Sequence, residues 1–216
     1  YEHIRALTSL TARLPQHVTL YQWIFDWLYK VLLEILFIVD IATFVFAYAS
    51  EARWLGNQIK SVEPTFFGWA VAIGCYPPFN GIVGGYFPTG NSGPLVITSQ
   101  PVLAVFKCLI ILLYLIYVWA SVSLMTRAGN LVNRGIVSRG AYGIVRHPAY
   151  ISKCSAWWFE HLPYILFDFK TIFFLFCWNI IYFLRAITEE KHLLATSPEY
   201  AEYARRVKYR FIPGIF

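Results

Sequence analysis

Charge is what this sequence has least of. Only 14% of its 216 residues are Asp, Glu, Lys or Arg, while 58% are hydrophobic and 19% aromatic. A soluble domain of this length carries about a quarter charged residues. Between Pro64 and Phe106 there is no charged residue at all. No hydrophilic stretch is long enough to fold as a second, water-soluble domain, and no internal repeat or low-complexity tract is evident. The chain begins at Tyr1 rather than Met, which leaves room for residues upstream. No signal-peptide cleavage pattern opens it, so the first long apolar run reads as a permanent span. Cysteine is sparse too: Cys75, Cys108, Cys154 and Cys177 lie far apart, without metal-ligand spacing, and read as buried free thiols. No metal is expected. These absences leave an all-α integral membrane protein, one domain over residues 1–216, with N-terminal helices in 24–125 and a cofactor-binding and catalytic region in 126–216.

The formal net charge is +6, and its distribution says more than its size. From Arg127 to Lys153 come Arg127, Arg134, Arg139, Arg146, His147 and Lys153 with no acid among them, and the last 12 residues hold Arg205, Arg206, Lys208 and Arg210. Such blocks flanking apolar runs suit a membrane surface, with membrane lipids as partners. No stacking platform or base-reading motif accompanies them, so nucleic acid is not expected as a partner.

A helical span needs about 20 mostly apolar residues. The first candidate runs from about Ile24 to Tyr48. Its Asp26, Lys30 and Glu34 are spaced four apart, which predicts a stripe that pairs internally or reaches the headgroups; Asp40 lies deeper and is a functional candidate or a group facing a neighbouring helix. The second, about Phe66 to Phe87, is interrupted by Pro77-Pro78, Gly81, Gly84 and Gly85, so its latter half is predicted to be irregular. Pro88 to Pro101 reads as an uncharged loop. The third, about Val102 to Leu124, is broken only by Lys107. Tyr150 to Phe167 and Phe169 to Ala186 make a fourth and fifth, joined as a tight antiparallel hairpin. About five transmembrane helices with a cytosolic C-terminal helical segment result. Lys and Arg bias puts the basic 127–147 loop and the C-terminus in the cytoplasm, which leaves Arg5 and Arg13 on the less expected side.

Three elements in the last third carry chemistry. The turn from Gly140 to Tyr150 delivers Tyr142, Arg146, His147 and Tyr150 to the start of a span, with Pro148 suited to the helix's first turn. A basic turn backed by a helix N-terminus suits an anion, although positive-inside anchoring explains the same residues. At the end of the fifth span, Arg185 and Glu189 are four apart, with Glu190 beside them. The bland reading of that pair is an exposed helical salt bridge of roughly 0.3–0.5 kcal/mol. Last, Tyr200, Tyr203, Arg205, Arg206, Lys208 and Arg210 form a basic, aromatic amphipathic segment that suits the headgroup surface.

Their order, Gly-x-Tyr-x-x-x-Arg-His-Pro-x-Tyr, a helical hairpin, Arg-x-x-x-Glu-Glu-x-x-Leu, then Tyr-x-x-Tyr and a closing Ile-Pro, resembles the isoprenylcysteine carboxyl methyltransferase family and its phospholipid methyltransferase relatives over residues 130–216. The resemblance implies S-adenosylmethionine as cofactor, in a pocket closed by the cytosolic C-terminal segment, and a lipidic or prenylated acceptor entering from the bilayer. It implies that Tyr142, Arg146, His147, Tyr150, Glu189 and Glu190 hold the cofactor and that Arg185 orients the acceptor, with Glu189 as base if the acceptor must lose a proton. Thr196-Ser197-Pro198-Glu199 replaces the Phe-Gly usual before the Tyr-x-x-Tyr helix, and Lys153, Glu160 and His161 put polar groups into the fourth span. Both departures bear on the acceptor. Two other classes stand beside this one: a nicotinamide-dependent membrane reductase related to sterol reductases, and a transporter or scaffold subunit using Asp26, Lys30, Glu34 and Asp40 as a polar path.

Overall fold

A computed structural model describes residues 2–12, 14–16, 18–76, 78–87, 94–165 and 168–215. The chain is mostly helical. A short α1 (Glu2–Ala12) is followed by α2 (Leu20–Gln22), whose N-cap Thr19 and Gln22 form a reciprocal capping box. α2 runs without a break through a π turn at Trp23–Leu28 into α3 (Tyr29–Ala49), giving one helix from Leu20 to Ala49. That helix is about 45 Å long, against about 30 Å of hydrocarbon. α4 (Phe66–Ile73) and α5 (Phe79–Tyr86) follow, then α6 (Gln100–Leu124) with Pro101 in its first turn. α7 (Pro148–Ile165), α8 (Phe169–Thr196) and α9 (Pro198–Arg206) complete the order. Among the described residues, three helices are long and apolar enough to cross a membrane: Leu20–Ala49, Gln100–Arg127 and Phe169–Thr196.

The two remaining expected spans differ from their sequence reading. The second is two helices of eight residues each, separated where Pro77-Pro78 stands, and the stretch holding Gly81, Gly84 and Gly85 is helical rather than irregular. The fourth, α7, is 18 residues long but carries Lys153, Glu160 and His161, so its composition is too polar to qualify. The expected loop at 88–101 lies partly outside the described residues.

α6 is the central post. α3 and α7 pack along it, joined by a core of Leu36, Ile110, Tyr114, Tyr117, Val118 and Ala156. Ala120 and Ser121 are nearly inaccessible, and such small residues let helix backbones approach closely. α7 and α8 form the expected hairpin. Asp168 caps α8, accepting from the N–H groups of Lys170 and Thr171, and Trp157 meets Trp178 and Tyr182 edge-on at 6.1 and 5.4 Å. A two-residue antiparallel ladder pairs β1 (Ser61–Val62) with β2 (Val132–Asn133), Ser61 opposite Asn133, which brings the segment before α4 beside the basic loop.

The polar stripe on the first span does not pair with itself. Asp26 meets Lys107 of α6 at 2.8 Å, and Glu34 meets His3 of α1 at 2.8 Å. The π turn holds more residues per turn, so positions four apart no longer align there. Asp40 faces α6, where it accepts from the Tyr117 hydroxyl at 2.8 Å. The thiols are not uniformly buried: Cys154 is, Cys75 and Cys177 are half-buried, and Cys108 is exposed on the face α6 turns outward.

Candidate functional site

The site forms where the turn before α7, the end of α8 and the tail after α9 converge. Gly140 opens that turn at φ +61, a left-handed angle that requires glycine, and a Cβ there would crowd Ser123 Oγ of α6. A 3-10 turn at Gly140–Gly143 then carries Tyr142, and α7 begins at Pro148.

The tail locks this start in place. The N–H groups of Arg146 and His147 donate to the carbonyls of Tyr209 and Arg210 at 2.9 and 2.8 Å. The helix start that the sequence offered as an anion site is thus covered by the chain's own carbonyls. Below, Glu190 collects three cationic or donor groups. Arg146 Nη1 and Arg210 Nε reach its Oε2 at 3.1 and 2.9 Å, and His147 Nε2 reaches its Oε1 at 3.1 Å. A carboxylate only accepts, so His147 Nε2 carries its proton. The Glu190 side chain is 4% exposed and both oxygens are engaged, so this residue ties the turn, α8 and the tail together.

One helical turn deeper, Arg185 is 3% exposed and makes no ion pair with Glu189. The exposed salt bridge foreseen for that pair is therefore absent. Its Nη2 donates to Tyr76 Oη at 3.0 Å and Asn130 Oδ1 at 2.6 Å, and its guanidinium lies 4.9 and 5.0 Å from the ring centres of Tyr76 and Tyr150. Aromatic faces offset the cost of burying a cation where no carboxylate does. Glu189 instead accepts from the Tyr150 hydroxyl at 2.7 Å, and the Tyr150 ring stacks on His147 at 5.3 Å.

Two cavities meet at His147 and Glu189. The outer one is lined by Arg134, Tyr142, Arg146, Tyr200 and Tyr203 along with those two. The inner one is lined by Tyr76, Tyr117, Ser121, Tyr150, Lys153 and Arg185 along with the same two. Their enclosed volumes, about 80 and 50 Å³, are below the roughly 300–1,000 Å³ of small-molecule sites, so a ligand of that size requires the walls to part. An apolar groove of about 370 Å³ opens between α7 and α8 and shares Tyr150 and Tyr182 with the inner cavity.

Of the residues singled out in the sequence, Tyr142, Arg146, His147 and Glu189 line the outer cavity, and Tyr142, His147, Tyr150, Arg185 and Glu189 the inner one. Glu190 lines neither. The α9 tyrosines differ from expectation: Tyr200 and Tyr203 are buried against Leu193 and Ile136, so this amphipathic face packs on protein rather than on headgroups. Tyr203 donates to the Tyr142 carbonyl at 2.9 Å. Burial, aided by the nearby carboxylate of Glu189, pushes the phenols of Tyr142, Tyr200 and Tyr203 above the ordinary tyrosine range, so all three remain neutral donors at physiological pH. Sequence reasoning missed Arg134, Tyr76, Asn130 and Ser121. Arg134 stood in the basic block and read as anchoring; it is 5% exposed and donates to the Ala47 carbonyl at 2.8 Å. The others carried no sequence signal.

The outer cavity's donor set fits a ligand that combines a carboxylate with polar and aromatic parts. Arg134 Nε and Arg146 Nε are buried and have no hydrogen-bond partner among the described residues, which suits an anionic group between them. No family model, curated protein or solved structure matches this chain.

Proposed function

We propose that this protein is an integral membrane, S-adenosylmethionine-dependent methyltransferase that acts on a membrane-embedded or amphipathic acceptor, with the carboxylate of a prenylated cysteine as leading candidate. In this reading the chain crosses the bilayer about five times. The broken pair α4 and α5 makes one crossing, which is tolerable where irregular backbone is covered by protein; α7, at about 27 Å, makes another. The 127–147 loop and the C-terminus face the cytoplasm.

One observation carries the reading. His147 and Glu189, distant in sequence, border both cavities, and the tail closes over His147. The outer cavity would hold the cofactor and the inner one the acceptor's reacting end, with the apolar groove between α7 and α8 for its lipid part. Arg134 and Arg146 would meet the cofactor's carboxylate, Glu189 its ribose hydroxyls or ammonium, and the rings of Tyr142, Tyr200 and Tyr203 its cationic and aromatic parts. When bound, S-adenosylmethionine supplies an electrophilic methyl group. Glu190 acts by position, holding Arg146 and His147 in the cavity wall. Arg185, already desolvated, holds an acceptor oxyanion by charge-assisted hydrogen bonds and so fixes the line of attack. A carboxylate acceptor is ionised at pH 7 and needs no base; for an amine or thiol, Glu189 takes the proton.

Calorimetric titration of the purified protein tests the cofactor. S-adenosylmethionine binds and NADPH does not; saturable NADPH binding without S-adenosylmethionine binding would instead establish the reductase reading. Incubating membranes with radiolabelled methyl donor then identifies what becomes labelled.

A further inference from the structure

The inner cavity holds more hydrogen-bond donors than the chain uses. Its phenols are committed: Tyr117 donates to Asp40, Tyr76 to Asn130 and Tyr150 to Glu189. Three other donors are not. Arg185 Nε and Ser121 Oγ are buried without a hydrogen-bond partner among the described residues, in side chains that are 3% and 1% exposed. The third is Lys153, one turn below Tyr150. Its ammonium lies 5.3, 5.6 and 5.9 Å from the ring centres of Tyr117, Trp157 and Tyr182, and among the described residues it makes no ion pair. Aromatic faces lower the cost of desolvating an ammonium but leave its N–H bonds without acceptors. Buried polar groups are ordinarily satisfied, so the two buried donors, with the half-buried Lys153 ammonium beside them, mark the place of a missing acceptor-rich partner. Two of the three carry positive charge, and the one carboxylate among the described residues that lines the cavity, Glu189, is taken up by Tyr150.

Resting on the methyltransferase reading above, we infer that Lys153 is a specificity residue of the acceptor cavity: with Arg185 and Ser121 it grips an oxyanion headgroup, a carboxylate or a phosphate, of an amphiphile whose chain lies in the groove between α7 and α8. A neutral headgroup would leave both cations unmatched in a low-dielectric site, so charge as well as shape selects the acceptor.

The test measures binding in neutral maltoside detergent, by calorimetry and without turnover. The probes are an N-acetyl-S-prenylcysteine, its methyl ester and dodecyl phosphate, each with and without saturating S-adenosylhomocysteine. Wild type binds at least one anionic probe and binds the ester at least tenfold more weakly. Lys153→Met weakens the anionic probes about tenfold or more and leaves the ester unchanged, Lys153→Arg restores binding to within about threefold, and Ser121→Ala weakens the anionic probes by a smaller factor. Preference for the carboxylate or for the phosphate names the source of the headgroup. The inference is overturned if Lys153→Met binds every probe as wild type does, if it weakens the ester as much as the anions, or if S-adenosylhomocysteine displaces the anions, which would give the cavity to the cofactor. Should Lys153→Met fail to fold, the Arg and Ala variants decide by the same comparison. Failure of wild type to bind S-adenosylhomocysteine at all would sink the underlying reading instead, and is seen in a separate titration.

Discussion

The two ends of this chain handle polar groups in opposite ways. Along α3 and α6, bulky apolar side chains such as Ile41, Val45, Phe46, Leu112, Leu115 and Trp119 are exposed, Asp26 and Glu34 find partners on neighbouring elements, and Asp40, held by Tyr117, is the one buried charged group among the described residues of these helices. From residue 130 onward the chain buries charge: Arg134, His147, Arg185, Glu190 and His192 are all less than a tenth exposed. An apolar exterior costs nothing against lipid, whereas buried charge persists only where partners are arranged around it. The first region therefore behaves as a frame, and the second as a preorganised site whose members depend on each other.

That contrast is broken most severely at Glu190. Glu190→Ala leaves Arg146, His147 and Arg210 around an empty position, and losing one member of a buried charged cluster costs about 3–5 kcal/mol. The expected outcome is a tail that trypsin cleaves readily near Lys208 and Arg210, and cofactor binding reduced at least 100-fold. A tail as resistant as wild type's would show the cluster to be dispensable. Arg185→Lys comes next. Lysine lacks the guanidinium plane set against Tyr76 and Tyr150 and the Nε–H left without a partner among the described residues, so turnover falls at least tenfold while cofactor affinity stays within about threefold. If cofactor binding is abolished instead, Arg185 belongs to the other cavity. Tyr150→Phe removes one hydrogen bond to Glu189 but keeps the ring on His147, a loss of about 1 kcal/mol, or roughly fivefold in cofactor affinity.

Asp40→Asn, in the frame, sharpens the comparison from the other side. An amide still accepts from Tyr117, so cofactor affinity should be unchanged and stability should move by less than about 1 kcal/mol. A transporter subunit would instead lose function at this position. The smallest effect at physiological pH concerns the phenols of Tyr142, Tyr200 and Tyr203. Burial raises them in the folded state, so their contribution is intact below the ordinary tyrosine value near 10 and is lost as pH climbs toward the folded values. Protease resistance of the tail should be flat between pH 7 and about pH 9.5 and decline above it; a decline centred near pH 7 would point to a different group.

Much of the frame was legible in the sequence because span length and apolarity are local properties. Runs near 24–48, 102–124 and 169–186 appear as long helices, extended by a few residues or, for α8, by the polar stretch up to Thr196. The interrupted second span was legible as interrupted, through Pro77-Pro78, but its glycines did not prevent an eight-residue helix, although none of its residues is buried. The i,i+4 rules failed at Asp26 and at Arg185, in each case because a partner distant in sequence outcompeted the neighbour on the same helix.

Composition and charge placement determined on their own that this chain is helical, apolar and basic toward its end, because each of those follows from the residues without reference to where they meet. Which residues share a cavity was decided only by the fold. The return of the tail onto Arg146 and His147, the arrival of Tyr76 and Asn130 at Arg185, and the unspent donors of Ser121 and Lys153 arise from contacts across tens of residues, and no local periodicity encodes them.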